Sequence, residues 1–112
     1  MKRFVILEHD WPVLHWDLML EDDDRLLTWR ILEEPHLDKP LPIKVSVDHR
    51  ITYLDYTGPV SRGRGTVKSW DSGKLTSLTR TTKNCRAVID SVRFKKTILV
   101  AIDAQKLILK TQ

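Results

Sequence analysis

From Leu14 to Glu21 the chain alternates with period two, and that pattern restricts what the stretch can become. Leu14, Trp16, Leu18 and Leu20 fall on one side of an extended strand, and His15, Asp17, Met19 and Glu21 on the other, because successive strand side chains point to opposite faces. The signature recurs in short runs. Val5 to Glu8 is apolar with a charged end. Leu27, Trp29 and Ile31 share a face within Arg25 to Leu32, leaving Thr28 and Arg30 on the other. Ile43, Val45 and Val47 alternate with Lys44, Ser46 and Asp48 in a fourth strand that ends at His49. Turn formers separate these runs: Asp10 with Pro12, Asp22-Asp23-Asp24, and three prolines between Glu33 and Pro42. His36, within that last loop, reads as a surface histidine.

The second half continues in the same manner. Leu54 to Thr57 is a short extended piece, Gly58-Pro59 opens a turn, and Ser61 to Gly65 is a flexible basic loop. Thr66 to Trp70 reads as a strand, Asp71-Ser72-Gly73 as a tight turn, and Lys74 to Thr79 as its return. Arg86 to Phe94, Thr97 to Ile102 and Lys106 to Leu109 are three closing strands. No stretch sustains a helical repeat; Val88-Ile89 with Val92 comes nearest. The expected fold is mainly β with little helix: a small antiparallel barrel, closed or nearly so. The pattern alone does not separate a barrel from a sandwich.

A length of 112 residues predicts one domain over 1–112. The single cysteine, Cys85, excludes an internal disulfide, reads as a small buried residue and fits a reducing, cytoplasmic setting. No apolar run is long enough for a membrane span, and the run after Met1-Lys2-Arg3 is too short for a signal peptide. Net charge is +4, from 19 basic and 15 acidic residues. Acid gathers at Glu21 to Asp24 and at Glu33-Glu34. Arg62, Arg64, Lys68, Lys74, Arg80, Lys83, Arg86, Arg93, Lys95 and Lys96 load the second half, as phosphate-backbone contact requires and as a merely solvated charged surface also presents.

The stretch with chemistry is His9 to Glu21. His15 and Asp17 lie side by side on one surface, and His9, just before the turn, reaches that surface from the neighbouring strand. Two imidazoles and a carboxylate without a competing thiolate suit a divalent metal such as Mn²⁺ or Zn²⁺. Three protein ligands leave positions open for water and a substrate oxygen, the mark of a catalytic site. Trp16 is expected in the core. Trp11 either caps the turn or stacks on a terminal base.

Phe4-Val5-Ile6-Leu7-Glu8-His9-Asp10, followed by Leu14-His15-Trp16-Asp17-Leu18 and Leu20-Glu21, resembles the 3′-phosphoesterase domain of bacterial DNA ligase D. The resemblance runs in order through Leu27-Thr28-Trp29, Asp48-His49 with Tyr53, Asp55-Tyr56, Gly63 with Gly65-Thr66-Val67, and Trp70-Asp71 with Gly73. It implies a compact barrel with an active-site groove and a Mn²⁺-dependent hydrolase. Such an enzyme trims 3′-terminal ribonucleotides and 3′-phosphates from DNA or RNA–DNA ends, with a DNA ligase or repair protein as partner. It also implies that His49 and Tyr53 lie at the active site, His49 close to the phosphate or metal. Three departures stand out. Met19 replaces an arginine, Leu7 replaces a polar residue, and the N-terminal arm of the ligase domains has no counterpart before the first strand. A thioether can neither neutralise a phosphate dianion nor donate a hydrogen bond. Arg30, Arg50, Arg62 and Arg64 are the candidate replacements, Arg30 foremost because it faces away from the Trp29 stripe. The competing expectation is a catalytically weak or silent barrel that binds nucleic-acid ends or a repair partner.

Overall fold

The computed structural model describes residues 1–112. Ten strands run in chain order: β1 (Arg3–His9), β2 (His15–Asp22), β3 (Arg25–Ile31), β4 (Leu41–Val45), β5 (His49–Arg50), β6 (Gly58–Pro59), β7 (Thr66–Arg80), β8 (Cys85–Ser91), β9 (Lys96–Ile102) and β10 (Lys106–Thr111). The sheet order β1-β2-β3-β4-β10-β9-β8-β7, with β7 paired back to β1, closes an antiparallel barrel of eight strands. Closure removes the free edges that would otherwise recruit other chains. The expected small β-barrel is therefore present. β5 and β6 are two-residue additions, paired to β3 and β7.

Alternation decides what fills the barrel. Phe4, Ile6, Trp16, Leu18, Leu20 and Ile31 point inward and meet the inner residues of β7 to β10 in a cluster of 18 buried side chains. Each fully buried aliphatic contributes about 1.5–3 kcal/mol, so the filled lumen dominates stability. The opposite faces of β1 and β2 are not solvated. Val5, Leu7 and Met19 form a second cluster with Leu26, Leu54 and Val67 on the outer wall. A 3-10 turn over Ile51–Leu54 covers that wall. Arg3 fastens its end to the barrel, with both guanidinium ends donating to the Asp55 carboxylate at 2.9 and 3.0 Å.

Four local expectations need correction. β2 begins at His15, so Leu14 sits half exposed at the turn rather than on the core stripe. The fourth strand runs Leu41–Val45 and stops short of His49, which starts β5; Val45 and Val47 are exposed because neither has a layer to cover it. Leu54 to Thr57 is not extended: Leu54 closes the 3-10 turn. Asp71-Ser72-Gly73 is not a turn, because β7 continues through it, with a shift of register against β1 just before Asp71. There the Asp71 carboxylate is buried and accepts from Ser91 Oγ at 2.6 Å, the Ser72 amide at 2.8 Å and the Arg93 amide at 2.9 Å. Gly73 is needed for close approach, since a Cβ would lie 1.8 Å from the Asp90 carbonyl oxygen.

Candidate metal centre and groove

The β1–β2 hairpin pairs His9 with His15, Leu7 with Asp17 and Val5 with Met19. Residues directly opposite across an antiparallel ladder share a face, so the alternation that fills the lumen also sends His9, His15 and Asp17 to the outer wall. Their ligand atoms lie within 4.8 Å of one another. His15 Nε2 stands 3.2 Å and His9 Nδ1 3.8 Å from Asp17 Oδ2. His15 and Asp17 are buried and His9 half-buried.

The far nitrogen of each ring is committed. His15 Nδ1 lies 2.8 Å from the Val13 carbonyl oxygen, and His9 Nε2 lies 2.8 Å from that of Arg64. A carbonyl only accepts, so those nitrogens carry the protons. In the neutral rings, lone pairs on His15 Nε2 and His9 Nδ1 then face a carboxylate. Asp17 Oδ1 is buried with no hydrogen-bond partner at all. Burying an unpaired carboxylate oxygen costs several kcal/mol, and two lone pairs aimed at the other oxygen add to the cost. A divalent cation relieves all three at once. The donor set therefore fits a metal, and the carbonyl contacts are the outer partners that fix imidazole ligands elsewhere.

The Arg64 carbonyl is held by a clamp that the sequence did not reveal. Asp10 accepts from the Thr66 amide at 2.8 Å and the Thr66 hydroxyl at 3.1 Å. Those bonds hold the Asp10 carboxyl below the usual carboxylate range. Gly65, at φ +74°, passes so close beneath that a Cβ would lie 2.3 Å from Asp10 Oδ1 and 2.6 Å from Trp11 Cβ. The Ser61–Gly65 loop is thereby docked on His9. The Arg64 guanidinium turns back to Ser61, donating to its carbonyl at 2.9 Å and its hydroxyl at 3.0 Å.

The triad edges a cavity of about 340 Å³. His9, Trp11, Asp17, Arg30, His49, Arg50, Tyr53 and Arg64 all line it, so nine of the ten singled-out residues gather around one groove once buried His15 is added. Arg62 does not line the groove; it lies exposed in the loop at φ +63°. Leu7, Met19, Val60 and Val67 supply apolar lining. Arg30 pairs with Asp17 across β2–β3, is half-buried and has no carboxylate within ion-pair distance. His49 Nδ1 donates toward the Val47 carbonyl at 2.9 Å and the Thr28 hydroxyl at 3.0 Å, while that hydroxyl donates to the Leu26 carbonyl. Nε2 of His49 is thus the free nitrogen. Tyr53 meets the His49 ring edge-on, centroids 5.4 Å apart. Thr28, which orients the His49 ring, is the other candidate site residue that sequence reasoning passed over. Its signals were its place beside Arg30 on the outer face of β3 and its position within the Leu27-Thr28-Trp29 segment of the resemblance.

A profile of the DNA ligase D 3′-phosphoesterase domain matches residues 7–109. The chain belongs to that family. The chain is 37% identical over 84 residues to the multifunctional non-homologous end joining protein LigD of Pseudomonas aeruginosa, covering 70% of this chain and 10% of that protein. It is 36% identical over 77 residues to the LigD protein of Mycolicibacterium smegmatis, covering 63% of this chain and 10% of that protein. The chain thus spans about a tenth of the length of these curated relatives. No helix is long and apolar enough to cross a membrane.

Proposed function

We propose that the chain is a metal-dependent phosphoesterase that removes a 3′-phosphate or a 3′-terminal ribonucleotide from nucleic-acid ends in DNA repair. The observation that supports this most is the partnerless Asp17 Oδ1 beside two imidazoles of fixed tautomer, at the edge of a cationic groove. His9, His15 and Asp17 would hold the ion, Mn²⁺ by the family's precedent or Zn²⁺ by donor chemistry. Bound there, it supplies Lewis-acid polarisation of a phosphoryl oxygen.

The chain's own residues do the rest. Arg30 donates to an equatorial phosphoryl oxygen, and no ion pair has to break first. When water attacks phosphorus, the bond from phosphorus to the 3′ oxygen breaks. His49, protonated at Nε2, gives its proton to that leaving oxygen. Val47 and Thr28 hold the ring for this, and Tyr53 packs against its edge. Trp11 offers a face for the terminal base, and Arg50 and Arg64 face the backbone from the groove walls, with Arg62 nearby in the loop. A DNA ligase or another repair protein is the natural partner for a 3′-hydroxyl product.

Incubation of a 3′-phosphorylated oligonucleotide with Mn²⁺ tests the proposal. Phosphate release by the wild type that is lost in His15→Ala supports it; no release by the wild type overturns it. The competing reading, a silent end-binding barrel, is favoured by Met19, a buried thioether in the groove lining. It expects binding without turnover.

A further inference from the structure

Strand register extends the cationic groove in one direction. Asp17 is opposite Arg30 on β3, and Arg30 is opposite Lys44 on β4. Cross-strand partners share a face, so Asp17, Arg30 and Lys44 form a row on the outer wall at about 4.8 Å per strand. The alternate pairs, Trp29 with Val45 and Ile31 with Ile43, point the other way. Lys44 is exposed, and like Arg30 it has no carboxylate within ion-pair distance. Some other cations on the barrel lie beside carboxylates, Lys2 and Arg80 at Asp22, Arg3 at Asp55, Arg25 at Asp48 and Lys68 at Glu8; Lys74, Arg86, Lys96, Lys106 and Lys110 do not, but none of these is in register with Asp17 and Arg30. In the opposite direction the row meets Leu7, packed with Val67 and covered by Val60. One side of the centre is closed by apolar residues, and the other carries two unneutralised cations in line.

We infer that the strand upstream of the reacting phosphate leaves the groove across β3 and β4, with Lys44 holding the next internucleotide phosphate. The inference rests on the phosphoesterase reading. Lys44 binds through charge and carries no base information, so the subsite takes any sequence. It distinguishes an oligonucleotide from a single nucleotide: the first brings a second phosphate to Lys44 and the second does not.

Fluorescence anisotropy with short single-stranded 3′-phosphorylated oligonucleotides tests this, alongside competition by a nucleoside 3′-phosphate and a dinucleotide 3′-phosphate. In the wild type the dinucleotide competes better than the mononucleotide. Lys44→Ala removes that advantage and weakens oligonucleotide binding roughly fivefold at low salt, about what one solvent-exposed charge pair at contact is worth. It also reduces the salt slope by about 0.7, the share of one single-strand phosphate contact. Lys44→Arg retains the advantage. Lys96→Ala, at the start of β9, serves as the control for net charge. Equal effects of Lys44→Ala and Lys96→Ala overturn the inference. A wild type that binds the mononucleotide but gains nothing from the second phosphate overturns the path and leaves the phosphoesterase reading standing. A wild type that binds neither compound overturns both.

Discussion

Gly65→Ala is expected to loosen the candidate centre without altering a ligand. At φ +74° an alanine costs about 1–2 kcal/mol in backbone strain. The added carbon would also lie 2.6 Å from Trp11 Cβ, which cannot swing aside as a side-chain tip can. The loop must lift, and with it goes the Arg64 carbonyl that accepts from His9 Nε2 at 2.8 Å. That hydrogen bond is worth about 1 kcal/mol net; its larger effect is on the metal. Losing the outer partner of a ligating histidine typically lowers affinity 10–100-fold. The assay is calorimetric titration of Mn²⁺ or Zn²⁺ into wild type and variant, with thermal unfolding to confirm the fold. ¹⁵N spectra of the metal-free protein add a second readout, because the freed His9 ring redistributes its proton between the two nitrogens. A folded variant with wild-type affinity and His9 still protonated at Nε2 would refute the clamp.

Three further outcomes are expected. Arg30→Ala lowers kcat/KM on a 3′-phosphorylated oligonucleotide on the order of 10²–10³-fold, as removal of one donor to developing charge does; steady-state kinetics at saturating Mn²⁺ measure it, and an unchanged value removes Arg30 from the mechanism. The Arg3 guanidinium holds the Asp55 carboxyl below its usual range, so the ion pair is present above about pH 3.9, the ordinary carboxylate value, and is lost as pH falls through the lowered one. A carboxyl-detected NMR titration should place the Asp55 transition below that value, and a transition at or above it contradicts the pairing. Burial pushes the Cys85 thiol up, so the native protein should react with a thiol reagent at pH 8 far more slowly than the unfolded chain; equal rates would show that the barrel end is open.

Much of the centre was legible because strand alternation is local. Once His15 to Glu21 is extended, His15 and Asp17 must share a face, and a tight hairpin brings His9 opposite. Arg30 followed from the same counting on the next strand. The layer above the wall was not legible. Nothing between Asp48 and Gly65 repeats with a period, so the 3-10 turn, the docking of the basic loop and the course of β5 arise from tertiary contacts: Arg3 with Asp55, Asp10 with Thr66, and Leu54 on Met19's cluster. Asp71-Ser72-Gly73 misled for a related reason. Its composition is that of a turn, yet a buried carboxylate with three donors and a glycine pressed against Asp90 keep the chain in the strand.

The two apolar compartments have an evolutionary corollary. Side chains pointing toward the axis fill the lumen, whereas those pointing away carry the candidate metal centre and the second apolar cluster, and one β1–β2 hairpin contributes both in alternation. Substitution at Leu7 or Met19, which line the groove, is therefore expected to reshape the groove while the lumen stays as it is. A scaffold arranged in this way is free to change its substrate without having to find its fold again.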